Sequence, residues 1–182
     1  NLHKMTTKYK TVRSLYNDIG QNYHDNREKA SNDVTELPTT LNLLGNIRDK
    51  KILDMGCGLG KHAREFIKRG GIVTGYDASE KMVKLAQEYC HGKGSFTRST
   101  HETASYEPDS FDICNASFSI NYSKDLGVIF SNVHSWLKQE GIFTFSIPHP
   151  IWLQTRSENM DYSKPHKIWI KMSSYDVEIF NY

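Results

Sequence analysis

The sequence predicts an α/β protein, a parallel β-sheet with helices on both faces. Three observations predict it. Short apolar runs alternate with amphipathic segments between residues 49 and 150. A glycine-rich turn, Asp54-Met55-Gly56-Cys57-Gly58-Leu59-Gly60, joins the first such run to the helix after it. An acid, Asp77, closes the second run. Strands alternating with helices imply crossover connections, and crossovers leave the strands parallel and covered on both faces.

Each element has its own signal. Val12, Leu15, Tyr16, Ile19 and Tyr23 recur at helical spacing, so one amphipathic helix is expected in the first 30 residues. Leu37, Leu41 and Leu44 predict a second, with Pro38 in its first turn and Gly45-Asn46 as its stop. Lys51–Met55 is a short apolar run closed by glycines, a buried strand. Residues 60–69 form a short helix with Ala63, Phe66 and Ile67 on one face, ended by Gly70-Gly71. Ile72–Tyr76 is the second strand. Ser79 caps a third helix whose face is Met82, Leu85, Ala86 and Tyr89. Ser95–Arg98 is a weak third strand, and Ser99–Ser110 a polar loop. Phe111–Ala116 is the fourth strand. Leu126, Ile129, Phe130, Val133 and Leu137 define a helix stopped by Gly141, and Ile142–Ile147 is a fifth strand ended by Pro148.

The alternation stops after Pro150. Lys167–Lys171 and Asp176–Phe180 each alternate and are expected as strands of a hairpin. The division expected is residues 1–48 as an N-terminal helical cap, 49–150 as the core, and 151–182 as a substrate-cover or hairpin segment.

The chain has 182 residues, which sets a prior of one domain. Its 23 basic and 21 acidic residues leave a formal charge of +2, which argues against a broad polyanion-binding surface and hence against nucleic acid. No apolar run approaches the roughly 18 residues of a membrane helix, and Asn1–Lys4 open no apolar leader. Cys57, Cys90 and Cys114 are widely spaced and form no CxxC, so no metal or redox pair is indicated. Buried, reduced thiols in a cytoplasmic protein are expected.

The glycine turn carries the chemistry. It follows a strand and opens a helix, the context of a nucleotide loop. Glycine lets the backbone turn tightly and lets a ligand lie against it. An acid at the end of the next strand can accept both hydroxyls of a ribose. A dinucleotide fold wants G-x-G-x-x-G, to seat a pyrophosphate at the helix N-terminus. Here the spacing is G-x-G-x-G, Lys61 stands at the third-glycine position, and Asp54 precedes the loop. An acid there repels a pyrophosphate and suits a cation. S-adenosylmethionine carries a sulfonium and an ammonium and no phosphate, so the charge argument favours it over NAD.

Residues 54–60 resemble the cofactor motif of class I S-adenosylmethionine-dependent methyltransferases. The resemblance covers about residues 50–150, with Asp77-Ala78-Ser79 at the second motif and Ser110–Ile113 at the fourth strand. Ser146–Pro150 resembles the end of strand five in small-molecule enzymes of the ubiquinone/menaquinone-biosynthesis-like group. The resemblance implies a Rossmann-like sheet in the order 3-2-1-4-5. It places Gly56, Gly58 and Gly60, with Asp54 and Cys57, around the methionine part of the cofactor. It places Asp77 on the ribose and Ala78 against the adenine. The stretch after strand three carries Thr100 where the family has an acid, so the adenine contact is expected from Thr100, His101 and Glu102, partly through backbone. Asn115, Ala116 and Ser117 end strand four, where cofactor and substrate meet. Tyr23 is expected as a lid contact. The asparagine-proline-proline-aromatic sequence of base and glutamine methyltransferases is absent, since Asn115-Ala116-Ser117-Phe118 departs from it.

The fold of the family has seven strands, the last two an antiparallel pair after a further helix. Residues 151–182 are too few for that helix, the pair and a substrate cover. The pair is therefore expected to be incomplete or missing, the sequence truncated at its C-terminal end, and the sheet edge open to self-association.

In-line methyl transfer from a sulfonium needs mainly alignment of donor and acceptor. A base is required only where the nucleophile must lose a proton. His149, after strand five, is the candidate base. His134 and the basic run Lys61, His62, Arg64, Lys68, Arg69 read as solvated surface. The expected function is methyl transfer to a small molecule. The alternatives are a non-catalytic cofactor-binding module and an NAD(P)-dependent oxidoreductase.

Overall fold

A computed structural model describes residues 32–148, 167–173 and 177–181 of the protein. Tyr23 and His149 lie outside the described residues, as do the expected first helix and residues 149–166.

The elements, in sequence order, are α1 (Asn32–Leu44), β1 (Lys51–Met55), α2 (Lys61–Lys68), β2 (Ile72–Asp77), α3 (Glu80–Tyr89) and β3 (Ser95–Arg98). There follow β4 (Phe111–Ser117), a 3-10 turn (Ile120–Tyr122), α4 (Leu126–Trp136), β5 (Leu137–Pro148), β6 (Lys167–Ser173) and β7 (Val177–Asn181). One sheet holds all seven strands, in the order β3-β2-β1-β4-β5-β6-β7. The first five are parallel, as the alternation predicts.

Three expectations are corrected. The C-terminal strands are present: β6 pairs antiparallel with β5, and β7 with β6. The alternation in the two runs extends the sheet by an antiparallel pair, and β6 lies along the edge of β5. Next, Pro38 stands inside α1 and not in its first turn, because α1 starts at Asn32. Last, α4 ends at Trp136, and Leu137 begins a long β5. Glu140 has φ 62°, so the backbone between Trp136 and Gly141 cannot continue as a right-handed helix.

The period-2 alternation of a strand divides the core between the two sheet faces. Leu53 and Met55 of β1 join Cys114, Ala116, Phe143 and Phe145 against Ile129, Val133 and Trp136 of α4. Ile52, on the opposite face, joins Ile113 against Ala63 and Phe66 of α2, Val83 and Ala86 of α3, Leu44 at the end of α1 and Ile47 after it. The end of the N-terminal segment therefore shares this core. Cys57, Cys90 and Cys114 are buried free thiols, as expected. No helix among the described residues is long and apolar enough to cross a membrane.

Along this second face the character changes with height. Ile52, Ile113 and Ile142 occupy the amino halves of their strands. Asp54, Asn115, Ser117, Thr144 and Ser146 occupy the carboxyl halves and keep the same parity. The register pairs Asp54 with Asn115, Asn115 with Thr144, and Ser117 with Ser146. A polar row at the carboxyl edge of a sheet is where open α/β folds bind ligands.

Candidate cofactor site

The cavity at that edge is lined by Asp54, Gly56, Cys57, Gly58, Leu59, Lys61, His62 and Ser117. The turn from β1 into α2 shapes it. Gly56, Gly58 and Gly60 all have positive φ (69°, 54° and 87°), which side-chain-bearing residues adopt at a cost. Their surroundings differ. A Cβ on Gly56 would lie 2.5 Å from Ser119 Cβ, so that turn packs against the segment after β4. One on Gly60 would lie 3.1 Å from Ala86, so Gly60 lets α3 approach the loop. Gly58 has nothing within 4 Å of that position among the described residues, so its open side can receive a ligand against the backbone.

Asp77 ends β2 and braces the same loop. Its Oδ2 accepts from Gly58 N at 2.9 Å and its Oδ1 from Ser79 N at 2.8 Å. A carboxylate offers about four lone-pair sites, so each oxygen keeps one for a ligand hydroxyl. Burial raises the pKa of Asp77, and the Ser79 and Gly58 amides oppose that rise. Ser79 also caps α3, its hydroxyl accepting from Met82 N at 3.3 Å.

Asp54 is 2 % exposed. Asn115 Nδ2 donates to its Oδ1 at 3.1 Å, and Thr144 Oγ1 donates to Asn115 Oδ1 at 3.0 Å. The Asp54 Oδ2 is buried and has no hydrogen-bond partner among the described residues. Burial raises the pKa of Asp54 and Glu36 adds to the rise, while His62, Asn115 and the Ala63 amide pull it down. Such an oxygen at a cavity wall is an acceptor awaiting a donor. Burial and the carboxylates of Asp54 and Asp77 push the Cys57 thiol up, so it stays protonated beside them.

The structure also brings in Glu36, which was not singled out from the sequence. Glu36 of α1 is 1 % exposed. Its Oε1 accepts from Ser117 Oγ, and from Ser146 Oγ at 2.9 Å. His62 Nε2 lies 3.6 Å from the same oxygen, within ion-pair reach and beyond a hydrogen bond. His62 thus faces inward, against the expectation of a solvated basic run, because it shares the helix face of Phe66 and packs edge-on to it at 6.0 Å. The signal for Glu36 was its i, i+4, i+8 spacing with Thr40 and Leu44, all three of them buried. The signal for the serines was polar residues at alternate positions of two buried strands.

The remaining expected contacts are not among the residues that line this cavity. Ala116 is fully buried in the apolar core of the α4 face. Ala78 is partly buried, between Asp77 and the cap Ser79. Thr100 bonds Thr103, through its amide at 3.0 Å and its hydroxyl at 3.1 Å. The Glu102 carboxylate accepts from Ser123 Oγ at 2.9 Å and Lys124 N at 3.3 Å, clamping the loop after β3 to the loop after β4. Those hydrogen bonds outweigh its slight burial and hold its pKa at about 2.

The His101 ring turns into the protein. Tyr76 Oη lies 2.8 Å from its Nδ1, and the rings meet edge-on. Burial pushes the Tyr76 phenol up, so it stays protonated beside the ring. Burial lowers the pKa of His101, against a backbone hydrogen bond at Ser119 and the charge of Glu102. The folded state thus binds fewer protons here than the unfolded state below the ordinary value of 6.5. Stability is lost as pH falls from 6.5 toward the lowered value, and is fully present above 6.5. Melting curves of the protein and of His101→Asn check this: the stability difference between them shrinks with acidification across that window. A difference independent of pH removes His101 as the titrating group.

A glycine turn at the carboxyl edge, an acid after β2 and a buried acid before the turn define a protein built to bind an adenosine-bearing cation. Residues 53–145, just over half of the 182-residue chain, match the methyltransferase domain family. The chain belongs to that family, whose class I members use S-adenosylmethionine. It is 34% identical over 128 residues to an uncharacterized protein of Haemophilus influenzae, covering 66% of this chain and 50% of that one. It is 30% identical over 99 residues to the uncharacterized methyltransferase YcgJ of Bacillus subtilis, covering 52% of this chain and 39% of that one. Among solved structures, an S-adenosylmethionine-dependent methyltransferase from Mesorhizobium loti superposes with a TM-score of 0.60 at 32% identity, over 63% of this chain and 53% of that one. The chain spans half or less of the length of these curated relatives.

The site fits the cofactor of the class. The orphaned Asp54 Oδ2 suits an ammonium, the spare lone pairs of Asp77 suit a ribose diol, and the open side of Gly58 suits a ligand lying on the backbone.

Proposed function

We propose that this protein is a cytoplasmic enzyme that transfers a methyl group from S-adenosylmethionine to a small-molecule acceptor. The observation that carries the reading is the orphaned, buried Asp54 Oδ2 in the same cavity as the loop that Asp77 braces. A pyrophosphate at Asp54 would meet like charge, so the dinucleotide alternative loses its seat.

When bound, the cofactor would supply a methyl group on a sulfonium sulfur that leaves as a neutral thioether. The protein supplies position. Asp54 holds the ammonium, Asp77 the ribose hydroxyls, and Gly56 and Gly58 the backbone against which the ligand lies. The buried Cys57 thiol stays neutral, which keeps a competing nucleophile out of the site. Cys57 is therefore a wall. His149 remains the candidate base for an acceptor that must lose a proton, with Tyr23 as lid contact and Thr100, His101 and Glu102 bordering the adenine.

Titration calorimetry with S-adenosylmethionine, its demethylated product and NAD tests the reading. Micromolar binding of the first two is expected. Binding of NAD without either of them overturns it.

A further inference from the structure

We propose that Glu36 sets the charge preference of the cavity, favouring the cationic sulfonium donor over the neutral thioether left after transfer. The inference rests on the reading of the site as a place for S-adenosylmethionine.

Glu36 reaches the site from α1, away from the glycine loop and the motifs around it. It is 1 % exposed, hydroxyls from β4 and β5 donate to one of its oxygens, and the His62 ring of α2 lies 3.6 Å from the same oxygen. Burying a carboxylate is costly, and a hydrogen-bonded neutral residue would tie a helix to a sheet for less. The charge itself therefore needs a reason.

The charge count around the cavity supplies one. Among the described residues, Asp54, Lys61 and His62 line the cavity, Asp77 braces its loop, and Glu36 stands behind Ser117 and His62, which makes three acids and two bases. With His62 protonated the set still carries one surplus negative charge, and with His62 neutral it carries two. Asp54 and Glu36 also feel each other, since Glu36 contributes to the raised pKa of Asp54. A ligand cation offsets the surplus. The ammonium is common to donor and product, so the sulfonium is the charge that tells them apart. One buried charge acting across a small cavity at an effective dielectric near 20 is worth about tenfold in affinity.

Calorimetry with S-adenosylmethionine and S-adenosylhomocysteine, on the unmodified protein, Glu36→Gln and Ser146→Ala, tests this. Glu36→Gln is expected to shift the ratio of the two dissociation constants about tenfold toward the product. Ser146→Ala removes a donor and leaves the charge, so both affinities are expected to move together. An unchanged ratio in Glu36→Gln, even with both ligands weakened, assigns Glu36 to structure alone and overturns the inference. Should that variant fail to fold, the unmodified protein decides: it is expected to bind the donor more tightly than the product, and equal or reversed affinities overturn the inference. Binding of neither ligand to the unmodified protein overturns the cofactor reading itself, and this inference with it.

Discussion

Asp77→Ala is expected to weaken binding of S-adenosylmethionine roughly tenfold to hundredfold. The carboxylate has two tasks, and alanine removes both. On the proposed reading its outward lone pairs accept the ribose hydroxyls, and hydrogen bonds to a charged group are worth about 1.5–3 kcal/mol. Its inward lone pairs hold Gly58 N and Ser79 N. Without them the turn loses its brace and α3 loses a contact before its cap. The melting temperature without ligand is therefore expected to fall as well, because two partly buried amides lose their acceptor. Calorimetry and a thermal melt on one preparation separate the two effects. Weakened affinity with an unchanged melt makes Asp77 a ligand contact alone, and an unchanged dissociation constant removes it from the site.

The core of the fold was legible because its signals are local. A strand buried on both faces reads as a short apolar run, and Lys51–Met55, Ile72–Asp77 and Phe111–Ser117 fall where the runs do. The glycines of residues 56–60 announce a turn because positive φ has few other solutions. What was not legible depends on the partner across the sheet. Ser117 and Ser146 are ordinary polar residues in sequence. They become a pair through the parallel register of β4 and β5, and they acquire meaning only when α1 brings Glu36 over them. His62 sits in a basic run, yet a helix of 8 residues with Ala63 and Phe66 buried turns its neighbour inward too. The end of α4 was misplaced because Leu137 continues the helical apolar period. Local periodicity cannot show that Leu137 instead pairs with Phe111.

Asp54→Asn separates binding from stability, and in opposite directions. The Asp54 pKa is raised in the folded protein, so the folded state binds more protons than the unfolded state above the ordinary value of 3.8. Stability is then lost as pH rises from 3.8 through the raised value, and at neutral pH the unliganded protein carries the cost of a buried, half-satisfied carboxylate. Asparagine keeps Oδ1 as the acceptor for Asn115 Nδ2 and removes the charge. An unsatisfied buried charged group costs about 1–3 kcal/mol. For a protein of this size each kcal/mol shifts the melting temperature by about 2–4 °C. The unliganded variant is therefore expected to melt several degrees higher at neutral pH, with a flatter dependence on pH above 3.8. The same change takes the counter-charge from the ligand ammonium. Breaking a buried pair by removing one partner costs about 3–5 kcal/mol, a loss of more than a hundredfold in affinity. Melting curves across pH, with and without S-adenosylmethionine, read both effects: the variant is the more stable protein without ligand and gains nothing when ligand is added. If it melts lower than the parent without ligand, the Asp54 carboxylate is a structural asset and its open oxygen is not reserved for a cation.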